Sequence, residues 1–138
     1  MSVAPPSVSD TSTTPLTFVS SATPTDDDIV LLLTTAPDML LAKRIAHVVV
    51  EEHLAACVHV SPAGVSMYMW QGNLEGGDEV ALTLKTTRAR CVSLADRVRS
   101  LHPYDIPELL VLPVLGGSPD YLQWVRNQVR HGLPEGGC

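Results

Sequence analysis

Residues 65–86 read VSMYMWQGNLEGGDEVALTLKT, two alternating runs around a glycine-rich centre, and this stretch decides the fold. Alternation has the period of a β-strand, so Val65 to Gln71 and Glu79 to Thr86 are the arms of a hairpin connected across Gly72 to Asp78. In the first arm Met67 and Met69 share one face while Tyr68 and Trp70 share the other, so both faces carry bulky side chains.

Working back toward the N-terminus, Cys57 to Val60 is short and β-branched enough for a strand, with a turn at Pro62-Ala63-Gly64. Before it, Leu41, Ile45, Val48 and Val49 recur at helical spacing up to about Leu54. The unbroken apolar run Ile29 to Leu33 has the length of a central strand. Working forward, Thr86 or Thr87 can cap a helix whose apolar stripe is Cys91, Leu94, Ala95, Val98 and Leu101. Leu109 to Leu115 is a further strand, and Pro113 marks a bulge or an unpaired edge. Ser118-Pro119-Asp120 opens a last helix with Leu122, Val125 and Val129 inward.

The order β, α, β, β, α, β and a terminal helix predicts an α/β (α+β) ferredoxin-like βαββαβ sandwich with helices on one sheet face. The other face is left open with no segment to spare for it, and a homo-oligomer is expected to bury it. The division is residues 1–27 as a disordered tail, 28–130 as the folded domain and 131–138 as a frayed end.

Composition narrows the function classes. A net charge of −6 argues against nucleic acid and anionic membrane as partners, and Arg88, Arg90, Arg97 and Arg99 read as a solvated helix face. The three cysteines, Cys57, Cys91 and Cys138, lack the close pairs of structural zinc or a redox dithiol and fit a reduced cytoplasm. No run approaches the ~20 apolar residues of a membrane span, and residues 1–27 do not read as a signal peptide.

Cys57 and His59 lie two apart in a predicted strand and share a face, as soft-metal ligands would, but two donors are too few, and a buried Cys beside a half-exposed His is the plainer reading. Cys91 reads as core packing, and His47 and His53 as surface histidines. The densest polar cluster is His102-Pro103-Tyr104-Asp105-Ile106-Pro107-Glu108, between helix and strand. It is either a functional loop or a proline-stiffened turn in which Glu108 pairs with Lys85 or an arginine. Lys85 itself is either aimed at an anion or snorkelling. With no phosphate loop, nucleophile elbow or paired helical histidines, an enzyme is not the leading class.

Six segments, taken together, resemble the CutA divalent-cation-tolerance family: Leu33-Thr34-Thr35-Ala36-Pro37-Asp38, Leu54-Ala55-Ala56-Cys57, Tyr68-Met69-Trp70-Gln71-Gly72, Leu84-Lys85-Thr86-Thr87, His102 to Leu109, and Asp120-Tyr121-Leu122-Gln123-Trp124. The resemblance implies a cytoplasmic homotrimer, similar in architecture to PII signalling proteins, with clefts between subunits. It implies a role in tolerance to copper or another divalent cation, with no required cofactor. It also places Trp70, Glu75, Lys85, Tyr104 and Glu108 as ligand-binding residues, with His102 and Cys57 as metal donors. The expected ligand is a divalent metal ion or, in the PII-like alternative, a small anionic metabolite. Thr34 and Leu101 stand where copper-ligating members carry Cys and His, and neither can replace a thiolate or an imidazole.

Overall fold

The computed structural model describes residues 17–18 and 23–130. The expected frayed end, 131–138, and most of the expected disordered tail lie outside the described residues.

Chain order is β1 (Thr17–Phe18), β2 (Ile29–Ala36), α1 (Met39–Glu51), β3 (Cys57–Trp70), β4 (Asn73–Thr87), α2 (Arg88–Leu101), β5 (Leu110–Pro113), β6 (Gly116–Gly117) and α3 (Pro119–Arg130). The main sheet runs β3-β4-β2-β5, every neighbour antiparallel, which is the strand order of a ferredoxin-like βαββαβ sandwich. A separate antiparallel pair joins β1 to β6.

Asp38 starts α1: its backbone is extended and its carboxylate accepts from the Leu41 N–H at 2.8 Å. Ala42, Ile45 and Val49, at helical spacing, are buried against Leu32 and Ala36 of β2, Val80, Leu82 and Leu84 of β4, and Leu94 and Val98 of α2. Even-numbered residues of β2 and β4 thus face the helices, and odd-numbered ones face away.

Several expectations are corrected. The hairpin loop is not Gly72 to Asp78 but the two residues Gln71 and Gly72, whose φ angles of 50° and 82° are those of a tight turn that follows strand twist. Asn73 to Asp78 instead pair with residues 65–70. The two glycines read as loop belong to the ribbon, and at Gly76 a Cβ would stand 3.4 Å from the Ser66 carbonyl oxygen. Pro62 does not end a strand either. β3 runs through it as an edge strand with a register shift between Val60 and Ala63, and the Ser61 hydroxyl accepts the Ala81 N–H at 3.1 Å in place of a ladder bond. Pro113 ends the other edge strand, β5, as its chemistry requires.

The open face is not wholly bare. Val125 and Val129 of α3, with Leu122 and Val114, pack on Ile29 and Ala56 and cover one end of it. The described residues also include the turn just before residue 28. Thr25 donates to the Asp28 carboxylate through both its N–H and its hydroxyl at 2.9 Å, and that turn presents the Asp28 and Asp26 carbonyls to the Arg88 and Ala89 N–H groups. These carbonyls do for α2 what its N-cap, Thr87, does not, since the Thr87 side chain makes no capping bond. Thr86 donates to the Leu54 carbonyl at 2.7 Å.

The arginine face is corrected at one position. Arg90 is 8% exposed, its guanidinium donates to the His53 carbonyl at 3.2 Å, and its Nε has no partner among the described residues. Arg97 does lie at the surface, on the Glu52 carboxylate. Cys91 is half-buried, and burial pushes its thiol up.

Candidate functional site

β2 stops at Ala36, opposite Val80, while β3 and β4 continue to Trp70 and Asn73. The hairpin therefore leaves the sheet as a two-stranded arm. Strand alternation puts Tyr68 and Trp70, with their cross-strand partners Glu75 and Asn73, on one side of the arm, and Met67 and Met69 on the other.

On the Tyr68 side, the base of the arm and the loop after α2 border a cavity of about 790 Å³. Its lining holds three aromatic rings, Tyr68, Trp70 and Tyr104, and four carboxylates, Glu75, Glu79, Asp105 and Glu108, with Thr35, Pro103 and Ile106 between them. The Thr35 hydroxyl donates to Glu79 Oε2 at 3.2 Å and so aims that carboxylate. Partial burial, then the nearby Glu79 carboxylate, raises the Tyr104 pKa, keeping its phenol protonated beside the acidic groups.

His102 positions the loop from behind. Its Nε2 lies 2.7 Å from the Thr35 carbonyl oxygen, and its Nδ1 accepts the Tyr104 N–H at 3.2 Å. The acceptor role of Nδ1 fixes the tautomer, so Nε2 carries the hydrogen and donates. The ring also packs on Tyr104, with centroids 4.7 Å apart.

Of the residues singled out from the sequence, Trp70, Glu75, Tyr104 and Glu108 meet in this cavity. Lys85 does not join them. It lies on the same sheet face as Glu79 but six positions along β4, roughly 20 Å at strand rise. There its ammonium donates to the Tyr121 hydroxyl at 3.1 Å and sits 5.4 Å from the ring centroid; that hydrogen bond is the main reason its pKa is raised. Cys57 is the cross-strand partner of Lys85, at that same far end, so it is not brought to His102. Both His102 ring nitrogens already hold backbone partners, and a metal on either would have to displace one. Among the described residues no three His, Cys, Asp or Glu side chains converge closely enough to hold a bare metal ion.

Sequence reasoning missed Tyr68, Glu79 and Thr35 as lining residues, while Asp105 lies in the polar cluster already singled out. Tyr68 was legible as a face-mate of Trp70, and Glu79 lies four strand positions from Glu75 and so on its face. The hydroxyl of Thr35 carried no comparable signal.

The fold and site define a ferredoxin-like α/β protein with an acidic, aromatic cavity under a projecting hairpin. The chain belongs to the CutA1 divalent ion tolerance protein family, whose model matches residues 30–128. Among its relatives, the divalent-cation tolerance protein CutA of Pectobacterium atrosepticum is 45% identical over 103 residues, covering 75% of this chain and 94% of that one. The CutA of Salmonella newport is 46% identical over 103 residues, covering 75% and 90%. Among solved structures, CutA from Xylella fastidiosa superposes with a TM-score of 0.73 at 39% identity, covering 74% of this chain and 98% of that one. CutA from Synechococcus elongatus gives 0.74 at 34%, covering 83% and 96%. Among the described residues no helix is long and apolar enough to cross a membrane.

Proposed function

We propose that this protein is a homotrimeric cation-binding module whose site is the cavity under the hairpin arm, and that it serves divalent-cation tolerance by binding rather than by catalysis. One observation carries the reading: among the described residues the cavity lining gathers four carboxylates and contains no lysine, arginine or histidine. Such a lining attracts cations and repels anions.

Oxygen donors suit hard and borderline divalent ions better than soft ones. Because the carboxylates do not converge in threes, a divalent ion here keeps much of its water and is held through it. A copper-specific site built on Cys57 and His102 has less support, given the positions of those two residues. A PII-like site for a small anion would have to use Lys85, which within one chain lies at the far end of the sheet from this cavity.

The trimer is supported by the arm itself. Val65, Met67, Met69 and Leu74 are between 64% and 72% exposed on a ribbon only two strands wide, which is marginal in water unless another surface covers it. Half-buried Cys57 and Cys91, free of any disulfide, fit a cytoplasmic setting.

Isothermal titration with magnesium, zinc and copper(II) chlorides tests the site. Glu75→Gln with Glu108→Gln is expected to weaken divalent-ion binding at least tenfold, and succinate is expected to give no heat. Unchanged metal affinity in the double variant, or succinate binding at the cavity, would overturn the reading.

A further inference from the structure

We infer that the same cavity takes a second class of ligand, a linear organic diammonium ion, which competes there with divalent metal ions. The inference rests on the cation-binding reading above and adds to it what the aromatic rings are for.

The faces of the aromatic rings, as distinct from the phenol oxygens of Tyr68 and Tyr104, supply no oxygen ligand to a hard cation. Tyr68 and Trp70 alternate onto the cavity side of the arm, and Tyr104 faces them from the loop, where the His102 ring behind it fixes its position. Ring faces attract ammonium groups through the negative charge of the π-system, and their apolar surface also shelters a methylene chain. The carboxylates have the matching defect: they are dispersed, so no three converge on a single bare ion. Carboxylates spaced around a cavity suit a ligand whose own charges are spaced apart. The volume of about 790 Å³ is ample for a short diamine and lies in the ordinary range of small-molecule sites.

A half-open cavity of this size, three rings and dispersed negative charge together suit one chemistry: two ammonium groups joined by a flexible apolar chain. Tyr104 contributes as a neutral ring with a hydroxyl donor, and Glu79, held by Thr35, supplies one fixed anchor for an ammonium.

The test titrates the full-length protein, at one low ionic strength, with putrescine, with butanediol as the uncharged isostere, and with magnesium chloride alone and in competition. Putrescine is expected to bind, butanediol to give no heat, and saturating putrescine to weaken apparent magnesium affinity. Tyr104→Leu is expected to lower putrescine affinity about tenfold more than magnesium affinity, with Tyr104→Phe restoring most of the difference. Trp70→Leu gives the same shift in selectivity should the Tyr104 variant fail to fold. If magnesium binds and putrescine does not, or if ring removal leaves the putrescine-to-magnesium ratio unchanged, the inference falls while the cation-binding reading stands. If neither cation binds, both fall.

Discussion

His102 Nε2 lies 2.7 Å from the carbonyl oxygen of Thr35, tying the end of α2 to the end of β2 where the cavity begins. With Nδ1 taken by the Tyr104 N–H, the ring is a bracket between two backbone groups. The ring is buried, at 9% exposure, and both of its hydrogen bonds are part-buried. His102→Ala should therefore cost about 1–3 kcal/mol, by removing two part-buried hydrogen bonds to the backbone. Urea unfolding measures this. A variant as stable as the wild type but unable to bind divalent ions would instead make His102 a metal ligand.

The hairpin arm gives a second prediction. Met67→Lys with Met69→Lys places charge on the arm face away from the cavity. Light scattering should show the wild type at about three times the 14.8 kDa chain mass and the double variant near one chain mass, with the helical circular dichroism retained. A wild type of single-chain mass at micromolar concentration would refute the trimer.

Arg90 is a buried cation with, among the described residues, one hydrogen-bonded partner, an uncharged carbonyl. Desolvation lowers its pKa, so its charge opposes folding. Arg90→Met keeps the length and loses one hydrogen bond to a charged donor. We expect it to be neutral or stabilising by about 1 kcal/mol, by analogy with apolar replacements of buried charge. A fall in melting temperature of several degrees would show that the bond to His53 outweighs the desolvation.

Acid sensitivity is expected at the turn that feeds α2. The backbone hydrogen bond from Thr25, then its hydroxyl, lowers the Asp28 pKa below the ordinary 3.8. The unfolded chain then binds this proton more readily than the folded one. The contribution of Asp28 is thus fully present above pH 3.8 and lost as pH falls through the lower folded value. The melting-temperature gap between wild type and Asp28→Asn should be constant near neutrality and narrow below about pH 4. A gap that stays the same down to pH 2.5 would show that the carboxylate charge is not what holds the turn.

The element order was legible because each element announces itself locally. Ala42, Ile45 and Val49 keep helical period, and Leu82 and Leu84 alternate as a half-buried strand must. Errors fell where local chemistry is ambiguous. Gly76 and Gly77 are as compatible with a ribbon as with a loop, and only pairing with Ser66 and Met67 decides between them. Pro62 breaks a ladder unless a side chain such as Ser61 supplies the missing bond. Arg90 carries the same charge as Arg97, yet one is buried and the other meets Glu52 at the surface, because helix neighbours are set by packing.

The sequence by itself determined the ferredoxin-like order of elements and the types of residue available for binding, since periodicity and turn chemistry are properties of adjacent residues. Tertiary structure alone decided which of those residues share a site. Glu75 and Glu108 come from distant elements and reach one cavity, whereas Lys85, ten residues from Glu75, is carried to the far end of the sheet. An extended strand separates its residues by about 3.3 Å each, so nearness along β4 becomes distance in space, while the antiparallel sheet and the loop after α2 turn distance along the chain into contact.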